Sequence, residues 1–174
     1  MASVFDADTV LLEREIPASN TVDGIEVAYE ARERKAYFGD LHVHTGYSFD
    51  GYAMGTIATP YVADKFAQGE AIKNHGGFDM QLSRPLDFYA VTDHAMFLGL
   101  AKASAEVANE FSKRPFSKPY NGLNSPGNFG TDFLSNLRRL GTFAGFLPGA
   151  VTGIRSGTID RGEVLEIARS AWLD

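Results

Sequence analysis

The sequence has no cysteine among its 174 residues. This absence excludes disulfide bonds, zinc sites built from thiolates and a cysteine nucleophile. Any metal ion that the chain binds must therefore be held by nitrogen and oxygen atoms. The lack of cysteine does not by itself indicate a cellular compartment.

Basic residues are also scarce. The chain has 16 Lys and Arg against 22 Asp and Glu, and its formal net charge is -6. Surfaces that grip nucleic acid are built from clustered Lys and Arg, whereas the longest basic cluster here, residues 32–35, is interrupted by Glu33. We therefore expect no nucleic-acid partner.

Long apolar runs are missing as well. No stretch approaches the roughly 18 apolar residues that suggest a membrane span, and Asp6 and Asp8 interrupt the region where a signal peptide would be apolar. We therefore expect a cytoplasmic or otherwise soluble protein without a membrane partner. The composition that is present, 44% hydrophobic and 12% aromatic, is globular and sufficient for one sizeable core.

The clearest local pattern is a pair of apolar segments that both end in histidine, residues 36–44 and residues 86–94. Their aromatic and branched residues are typical of strands. A helix is predicted between them, because Thr59 can cap it, Pro60 suits its first position and Gly69 can close it. This order favours two parallel strands joined by a right-handed connection. Ligands of such sheets and barrels bind beyond the carboxyl ends of the strands.

The rest of the chain is predicted from weaker signals. Residues 1–35 form a peripheral arm, in which residues 10–16 and 25–29 are each a strand or a helical turn, and residues 36–174 form the main domain. Within the domain we expect three further helices, at residues 98–114, 131–146 and 160–173, the last with Asp160 as its cap and Glu163 as the capping partner. Loops are expected at residues 48–55, 70–85 and 115–130, and residues 148–157, which contain three glycines, are expected to be flexible.

The first histidine pair lies at the end of the first strand. Side chains alternate along a strand, so Asp40, His42 and His44 share one face, while Leu41 and Val43 share the other. Two imidazoles two residues apart can turn toward one ion, and imidazole is a common ligand of divalent transition metals. Taken alone, the pair is equally consistent with a solvated strand end.

The second strand supplies another histidine. His94 shares a face with Thr92, whereas Asp93 faces away, so His94 is the expected ligand. Asp50, just after the first strand, can supply an oxygen atom. Because two separate histidine clusters end neighbouring parallel strands, a shared metal site is favoured over coincidence.

These patterns define a candidate site. A set of nitrogen and oxygen ligands suits Zn, Mn or Fe, whereas no side chain is assigned as catalytic. The candidate metal ligands are His42, His44, Asp50 and His94, and the groups that either orient them or bind an ion themselves are Asp40 and Asp93.

Two other residues, Arg84 and His75, are treated separately from the candidate ligands. Arg84, just before the second strand, is assigned either to an anionic substrate or to a structural salt bridge. His75 lies in a predicted loop and is interpreted as solvated. The glycines of residues 148–157 are not a phosphate loop, because no Gly-Lys-Ser/Thr follows them.

The strings around the histidines carry a family resemblance. Asp-Leu-His-Val-His-Thr at residues 40–45, Ser-Phe-Asp-Gly at 48–51 and Ala-Val-Thr-Asp-His at 90–94 resemble the first two motifs of the polymerase and histidinol phosphatase (PHP) superfamily. Tyr-Phe-Gly-Asp at 37–40 and Arg-Pro-Leu-Asp-Phe at 84–88 resemble more narrowly its DUF3604 branch.

The resemblance implies a distorted seven-stranded (β/α) barrel with up to three divalent metal ions at the carboxyl ends of its strands. By motif position, His42 and His44 hold one ion, and Asp50 and His94 help to hold another. The implied activity is hydrolysis of a small anionic substrate, a phosphoester, by metal-activated water.

This chain also departs from the family pattern. The superfamily uses a bridging Glu, further histidines and a closing Asp-x-His, whereas no histidine follows His94. Because a barrel of this type takes about 250 residues, we expect an α/β fold that is a partial, incomplete PHP-type barrel, inactive as this chain alone. Unpaired barrel edges should cause self-association, helped by apolar side chains exposed on the last helix, namely Val164, Leu165, Ala168 and Trp172.

Two alternatives stay open. One is a barrel amidohydrolase, in which a His-x-His pair likewise holds a metal ion but a C-N or ester bond is cleaved. The other is a fragment that binds metal without catalysing a reaction. The Thr-Asp-His ending of the second strand favours the PHP interpretation.

Overall fold

The structure is a computed structural model that describes residues 20–22, 25–27, 35–125, 128 and 132–174. The chain divides into two units, Met1–Ala36 and Tyr37–Asp174. In the first unit, β1 (Asn20–Val22) pairs antiparallel with β2 (Ile25–Val27), so this second segment is a strand rather than a helical turn. The element predicted at residues 10–16 lies outside the described residues.

The second unit alternates short strands with helices. In chain order it contains β3 (Gly39–Val43), α1 (Phe49–Ala53), α2 (Pro60–Ala67), β4 (Ile72–Lys73), β5 (Asp79–Met80), β6 (Phe88–Val91), α3 (Leu100–Ala105), two 3-10 helices (Glu110–Lys113 and Pro115–Tyr120), α4 (Phe133–Ala144), α5 (Phe146–Ser156) and α6 (Arg161–Leu173).

Strands β3 and β6 form a parallel pair, as predicted. Asp40 lies opposite Tyr89 and Val43 lies opposite Val91, so β3 has one residue more than β6 between these two pairs. Such an extra residue is a β-bulge, which bends the strand and redirects its side chains. The strict alternation expected for residues 40–44 is therefore interrupted between Asp40 and Val43.

The predicted helix between the two strands is confirmed as α2. The side chain of Thr59 accepts a hydrogen bond from the Val62 nitrogen, Pro60 occupies the first helical position, and Gly69 beyond the end has a φ of +87°. A left-handed backbone at this position is readily adopted only by glycine. Local signals therefore decide both ends of this helix.

The helix that closes the chain is also confirmed. The side chain of Asp160 accepts a hydrogen bond from the Glu163 nitrogen at the start of α6. The Glu163 carboxylate binds Arg114 instead of returning to the cap. Within α6, Val164 is buried, contrary to prediction, whereas Leu165 and Trp172 are exposed and Ala168 is half-buried.

A predicted loop and a segment expected to be flexible are both regular structure. Residues 70–85 contain the antiparallel pair β4 and β5, whose turn includes Gly77 at a φ of +88°. Residues 148–156 belong to α5, which tolerates Pro148 because this residue lies in the first turn, where no intrahelical N–H is needed. Gly153 faces the core there, since an added Cβ would lie 2.5 Å from the Ile159 side chain.

The predicted helix at residues 98–114 is shorter than expected. Helix α3 ends at Ala105, and Glu106 has an extended backbone with a ψ of 106°. The side-chain amide of Asn121, from a later turn, donates to the carbonyl oxygens of Ser104 and Ser112. The bond to Ser104 satisfies a backbone acceptor that a longer helix would have paired internally.

Helix α1 and part of residues 115–130 were also predicted as loop. Ser48 and the residues after it form the first turn of α1, and Pro115–Tyr120 is a 3-10 helix. Both segments contribute side chains to the core, and burial of Tyr52 and Tyr120 favours the ordered turns. Helix α4, predicted at residues 131–146, is confirmed at Phe133–Ala144.

The core lies among the helices. Aromatic rings of Tyr52, Phe111, Tyr120, Phe143 and Phe146 are buried there in edge-on and stacked contacts. Such rings stabilise a core through their large apolar area and the geometry of their contacts.

The β3–β6 sheet is only partly covered. Leu41 and Phe88 are exposed, and the other residues of β6 are half-buried. The physical reason is that, within the described residues, this sheet has two strands only. The described residues contain no closed barrel, and the partial barrel stays a prediction. Every described helix is too short or too polar to cross a lipid bilayer.

Candidate metal centre

Three elements of the second unit meet at the carboxyl end of the parallel sheet. His44 follows β3, Asp50 is the second residue of α1, and His94 lies three residues beyond β6. The backbone bond from the Thr92 nitrogen to the Val43 oxygen, 2.8 Å long, extends the strand pairing to this end. The ends of both strands are therefore held side by side.

The donor atoms of His44, Asp50 and His94 all lie within 4.8 Å of one another. His44 Nδ1 is 2.8 Å from Asp50 Oδ2, and His94 Nε2 is 3.4 Å from the same oxygen. The two imidazole centroids are 4.9 Å apart, with the planes at 67°. We call these three residues the donor group.

The donor group is buried on one side and open on the other. The His44 side chain is 15% exposed, whereas those of Asp50 and His94 are 44% and 58% exposed. The group is thus anchored by His44 and accessible to solvent at His94. A site that binds a small molecule or water needs such an opening.

His42 and Asp40 take other positions. His42 is not part of the donor group; its ring lies against that of His44, with centroids 4.6 Å apart and planes at 34°. Its backbone nitrogen donates to Asp40 Oδ1 across the bulge at 2.8 Å. His42 and His44 therefore project to the same side, as predicted, although His42 is not part of the donor group. The role of His42 as a ligand stays a prediction.

Asp93 binds the neighbouring strand. Its two carboxylate oxygens accept hydrogen bonds from the backbone nitrogen of Thr45 at 2.5 Å and from the Thr45 hydroxyl at 2.6 Å. Thr45 is fully buried. Because His44 and His94 adjoin these two residues, the bonds hold both imidazoles in register.

Ser48 connects two members of the donor group, a role that the sequence analysis missed. Its hydroxyl donates a hydrogen bond to Asp50 Oδ1 at 2.7 Å and accepts one from the backbone nitrogen of His94 at 3.1 Å. Ser48 is fully buried. The available signal is the serine itself, a preferred residue at the start of a helix, whereas residues 48–55 are predicted as a loop.

Gly51 allows α1 to lie close to the end of β3. A Cβ atom at this position would be 2.4 Å from the Thr45 carbonyl oxygen and 3.5 Å from the His44 Cβ. Its backbone nitrogen donates to Asp50 Oδ1 at 2.8 Å. A residue without a side chain is therefore needed for Asp50 to reach His44.

Hydrogen bonding keeps Asp50 ionised. Partial burial opposes the charge, but the bonds from Ser48, Gly51 and His44 outweigh it and lower the pKa of the Asp50 carboxyl to about 2. A carboxylate that is charged at neutral pH is the form that binds a cation.

Arg84 and His75 are not among the candidate metal ligands. The Arg84 guanidinium lies over the Phe38 ring, 4.1 Å from its centroid, which is a cation–π contact. His75 lies in the turn between β4 and β5, and burial together with the positive charge of Arg139 lowers its pKa. Its burial differs from the solvated position that the sequence suggested.

The donor group fits a divalent transition metal. Two imidazole nitrogens and one carboxylate oxygen are the ligand types of catalytic zinc sites that keep a position open for water. Ligand atoms in a tetrahedral zinc site are about 3.4 Å apart, which is the distance between His94 Nε2 and Asp50 Oδ2, 3.4 Å. The shorter 2.8 Å contact of His44 is a hydrogen bond that a bound ion would replace.

No curated protein and no solved structure matches this chain. The sequence model of a family described as "Protein of unknown function (DUF3604)" matches residues 31–173, which is most of the chain, and the chain therefore belongs to the DUF3604 family.

Proposed function

We propose that this chain provides part of the metal centre of a hydrolase that cleaves phosphoesters, as the resemblance to the PHP superfamily implies. One observation carries the proposal: His44, Asp50 and His94 come from three separate elements, and their donor atoms meet within 4.8 Å. Side chains that were merely solvated would not bring their donor atoms together in this way. Zn, Mn and Fe are the metals that such ligands favour.

The chemistry is hydrolytic. A bound metal ion lowers the pKa of water toward neutrality and neutralises charge on a phosphoryl oxygen. In the overall reaction, an oxygen of water forms a bond to phosphorus, the bond from phosphorus to the alcohol oxygen breaks, and a proton from water passes to the alcohol. No residue of this chain is assigned to that proton transfer.

The residues of the chain prepare the site. His44 and His94 offer imidazole nitrogens, and Asp50 offers a negative charge. Ser48 and the Gly51 nitrogen fix the Asp50 carboxylate and leave its other oxygen, Oδ2, toward the two histidines. This fixed arrangement reduces the reorganisation that metal binding requires.

Metal binding is tested by calorimetric titration of the purified chain with Zn²⁺ and Mn²⁺. His94→Ala removes an exposed donor, and we expect a loss of affinity of at least about 100-fold, larger than removal of an orienting group causes. His75→Ala is the matched control, because His75 is outside the donor group, and its affinity should equal that of the wild type. Equal affinities for wild type and His94→Ala would overturn the metal centre.

Hydrolysis is assayed with the full-length gene product, whether or not it extends beyond residue 174. We expect p-nitrophenyl phosphate to be cleaved only when Mn²⁺ or Zn²⁺ is supplied, and His94→Ala to abolish cleavage. Cleavage of p-nitroacetanilide alone would favour an amidohydrolase and overturn the phosphoesterase assignment. Tight metal binding with neither substrate cleaved would favour a metal-binding module instead.

A further inference from the structure

A cavity of about 510 Å³ adjoins the donor group, and His44 is part of its wall. The cavity lies between the β3–β6 sheet, α2 and the β4–β5 pair. Its size is within the range of about 300–1,000 Å³ that is usual for small-molecule sites. We call it the His44 pocket.

The surface of the His44 pocket is mostly apolar. Side chains from both strands of the sheet, from α2, from β5 and from the segment before β6 form its walls. The apolar residues that matter for the argument are Val43, Ala63, Phe66, Met80 and Leu86. Polar groups are few, and this combination is typical of a site that buries the apolar part of a ligand.

Several polar side chains of the pocket already have partners within the protein. Lys73 Nζ is 2.7 Å from Asp79 Oδ1, and the Tyr89 hydroxyl donates to Asp64. Asp40 accepts the hydrogen bond from the His42 nitrogen. These groups gain little from a polar ligand, because binding would exchange one hydrogen bond for another.

We propose that the His44 pocket binds the apolar body of the substrate, an aromatic ring or a branched alkyl group, while the anionic ester group lies at the donor group. This inference rests on the proposed function, because it assumes that the reacting group contacts the metal centre. The carrying observation is that one residue, His44, belongs both to the donor group and to the pocket wall.

The pocket is poorly suited to sugar phosphates and nucleotides. Among the described lining residues, Lys73 is the only permanently charged cation, and it is paired with Asp79. The nearby Arg84 stacks over Phe38 instead of lining the pocket. Hydroxyl groups of a sugar against apolar walls would lose their hydrogen bonds to water without replacement.

The test compares two non-hydrolysable probes, benzylphosphonate and ethylphosphonate, with and without Zn²⁺. During each titration, binding is monitored by the NMR signals of the methyl groups of Ile72, Met80 and Leu86, which line the pocket. The methyl signals of Ile159 and Val164, in the helical core, are the reference. We expect benzylphosphonate to bind at least about tenfold more tightly than ethylphosphonate, since burial of the larger apolar area of the ring favours binding by at least about 1.4 kcal/mol, which is that factor. Its addition should shift only the pocket signals.

Two variants in which leucine replaces alanine locate the site where benzylphosphonate binds. Ala63→Leu fills the pocket without loss of helix propensity, and it should lower the affinity for benzylphosphonate about tenfold while leaving that for ethylphosphonate unchanged. Ala168→Leu in α6 is the matched control and should change neither affinity. Ala168 is half-buried like Ala63 but does not line the pocket.

The outcomes separate this inference from the proposed function. Zn²⁺ should strengthen the binding of benzylphosphonate if both proposals hold. Shifts of the pocket signals without any effect of Zn²⁺ would support the pocket and count against the metal-dependent hydrolase. Equal affinities for the two probes, with unmoved pocket signals, would overturn the pocket whatever Zn²⁺ does.

Discussion

Asp93 and Thr45 join the two strand ends that carry the donor group: both oxygens of the Asp93 carboxylate accept hydrogen bonds from Thr45, one from its backbone nitrogen and one from its hydroxyl. The adjacent residues in the chain are His94 and His44. The relative position of the two imidazoles therefore depends on a contact that involves neither of them.

Asp93→Asn should weaken metal binding without unfolding the protein. The amide keeps the size of the side chain but loses one acceptor and the negative charge, so His44 and His94 are held less firmly. We expect the affinity for Zn²⁺ to fall about 10- to 100-fold, the usual effect of removing a group that orients metal ligands. Calorimetric titration measures it.

Asp87→Asn is the matched control for this prediction. The Asp87 carboxylate accepts a hydrogen bond from the Phe38 nitrogen at the opposite end of the same strand pair. The Asp87→Asn variant should lower the free energy of unfolding about as much as Asp93→Asn does, and it should leave the affinity for Zn²⁺ unchanged. An equal loss of affinity in both variants would mean that the Asp93 contact acts only through general stability of the sheet.

Ser48→Ala should raise the pKa of Asp50 from its present value of about 2 toward the ordinary 3.8, because the carboxylate loses one of the hydrogen bonds that lower it. The lowered pKa means that the ionised carboxylate stabilises the folded state above pH 3.8, and that this contribution is lost as the pH falls toward 2. The variant should lose part of that contribution. The pKa is measured from the pH dependence of the Asp50 carboxyl ¹³C shift.

A buried serine elsewhere provides the control. Ser104 is also fully buried, and its hydroxyl donates to the Leu100 carbonyl oxygen within α3. Ser104→Ala should leave the Asp50 titration where it is. If Ser48→Ala also leaves it unmoved, the Ser48 bond does not tune the carboxylate.

Gly51→Ala should move α1 away from β3. The new Cβ would lie 2.4 Å from the Thr45 carbonyl oxygen, a backbone atom that cannot rotate away. Overpacking of this kind costs about 1–3 kcal/mol of folding free energy, and it should also separate Asp50 from His44. Denaturant unfolding and Zn²⁺ titration measure the two effects.

Gly141→Ala tests whether the effect belongs to the position or to any glycine. Apart from its chain neighbours and the backbone of its own helix, no atom of the described residues lies within 4 Å of a Cβ built at Gly141 in α4. Alanine there should stabilise the helix by about 0.5–1 kcal/mol. A Gly51→Ala variant as stable as Gly141→Ala, with full Zn²⁺ affinity, would contradict the proposed close approach.

His75 should titrate below the ordinary pKa of 6.5, because burial and the positive charge of Arg139 both disfavour its protonated form. The folded state then binds this proton less readily than the unfolded state, so stability is complete above pH 6.5 and declines as the pH falls below it. An NMR titration of the imidazole nitrogens gives the pKa. A peptide of residues 72–80 is the reference, and an equal pKa in peptide and protein would contradict the prediction.

The family match confirms the resemblance to DUF3604. The sequence is sufficient for this prediction because the strings that carry the resemblance are local and do not depend on the fold. Membership of the PHP superfamily, the barrel and the hydrolase activity stay predictions. Each depends on long-range structure or on chemistry that a match to a family of unknown function does not describe.

The sequence alone determined the features that depend on neighbouring residues. The N-terminal caps of α2 at Thr59 and of α6 at Asp160 follow from the preference for such residues at helix starts. The parallel order of β3 and β6 follows from the hydrophobic pattern and from the rules for connections between strands. The pattern also led to the residues of the donor group, because histidines at the ends of parallel strands meet at one edge of the sheet.

Only the tertiary structure decided which candidates come together. His42 lies against the ring of His44 but is not part of the donor group, and the short helix α1, predicted as a loop, carries Asp50 to His44. The linking role of Ser48 depends on contacts with His94, 46 positions away in the sequence. Local propensity does not report such contacts, because their free energy comes from packing and hydrogen bonds between distant segments, which exist only once the chain has folded.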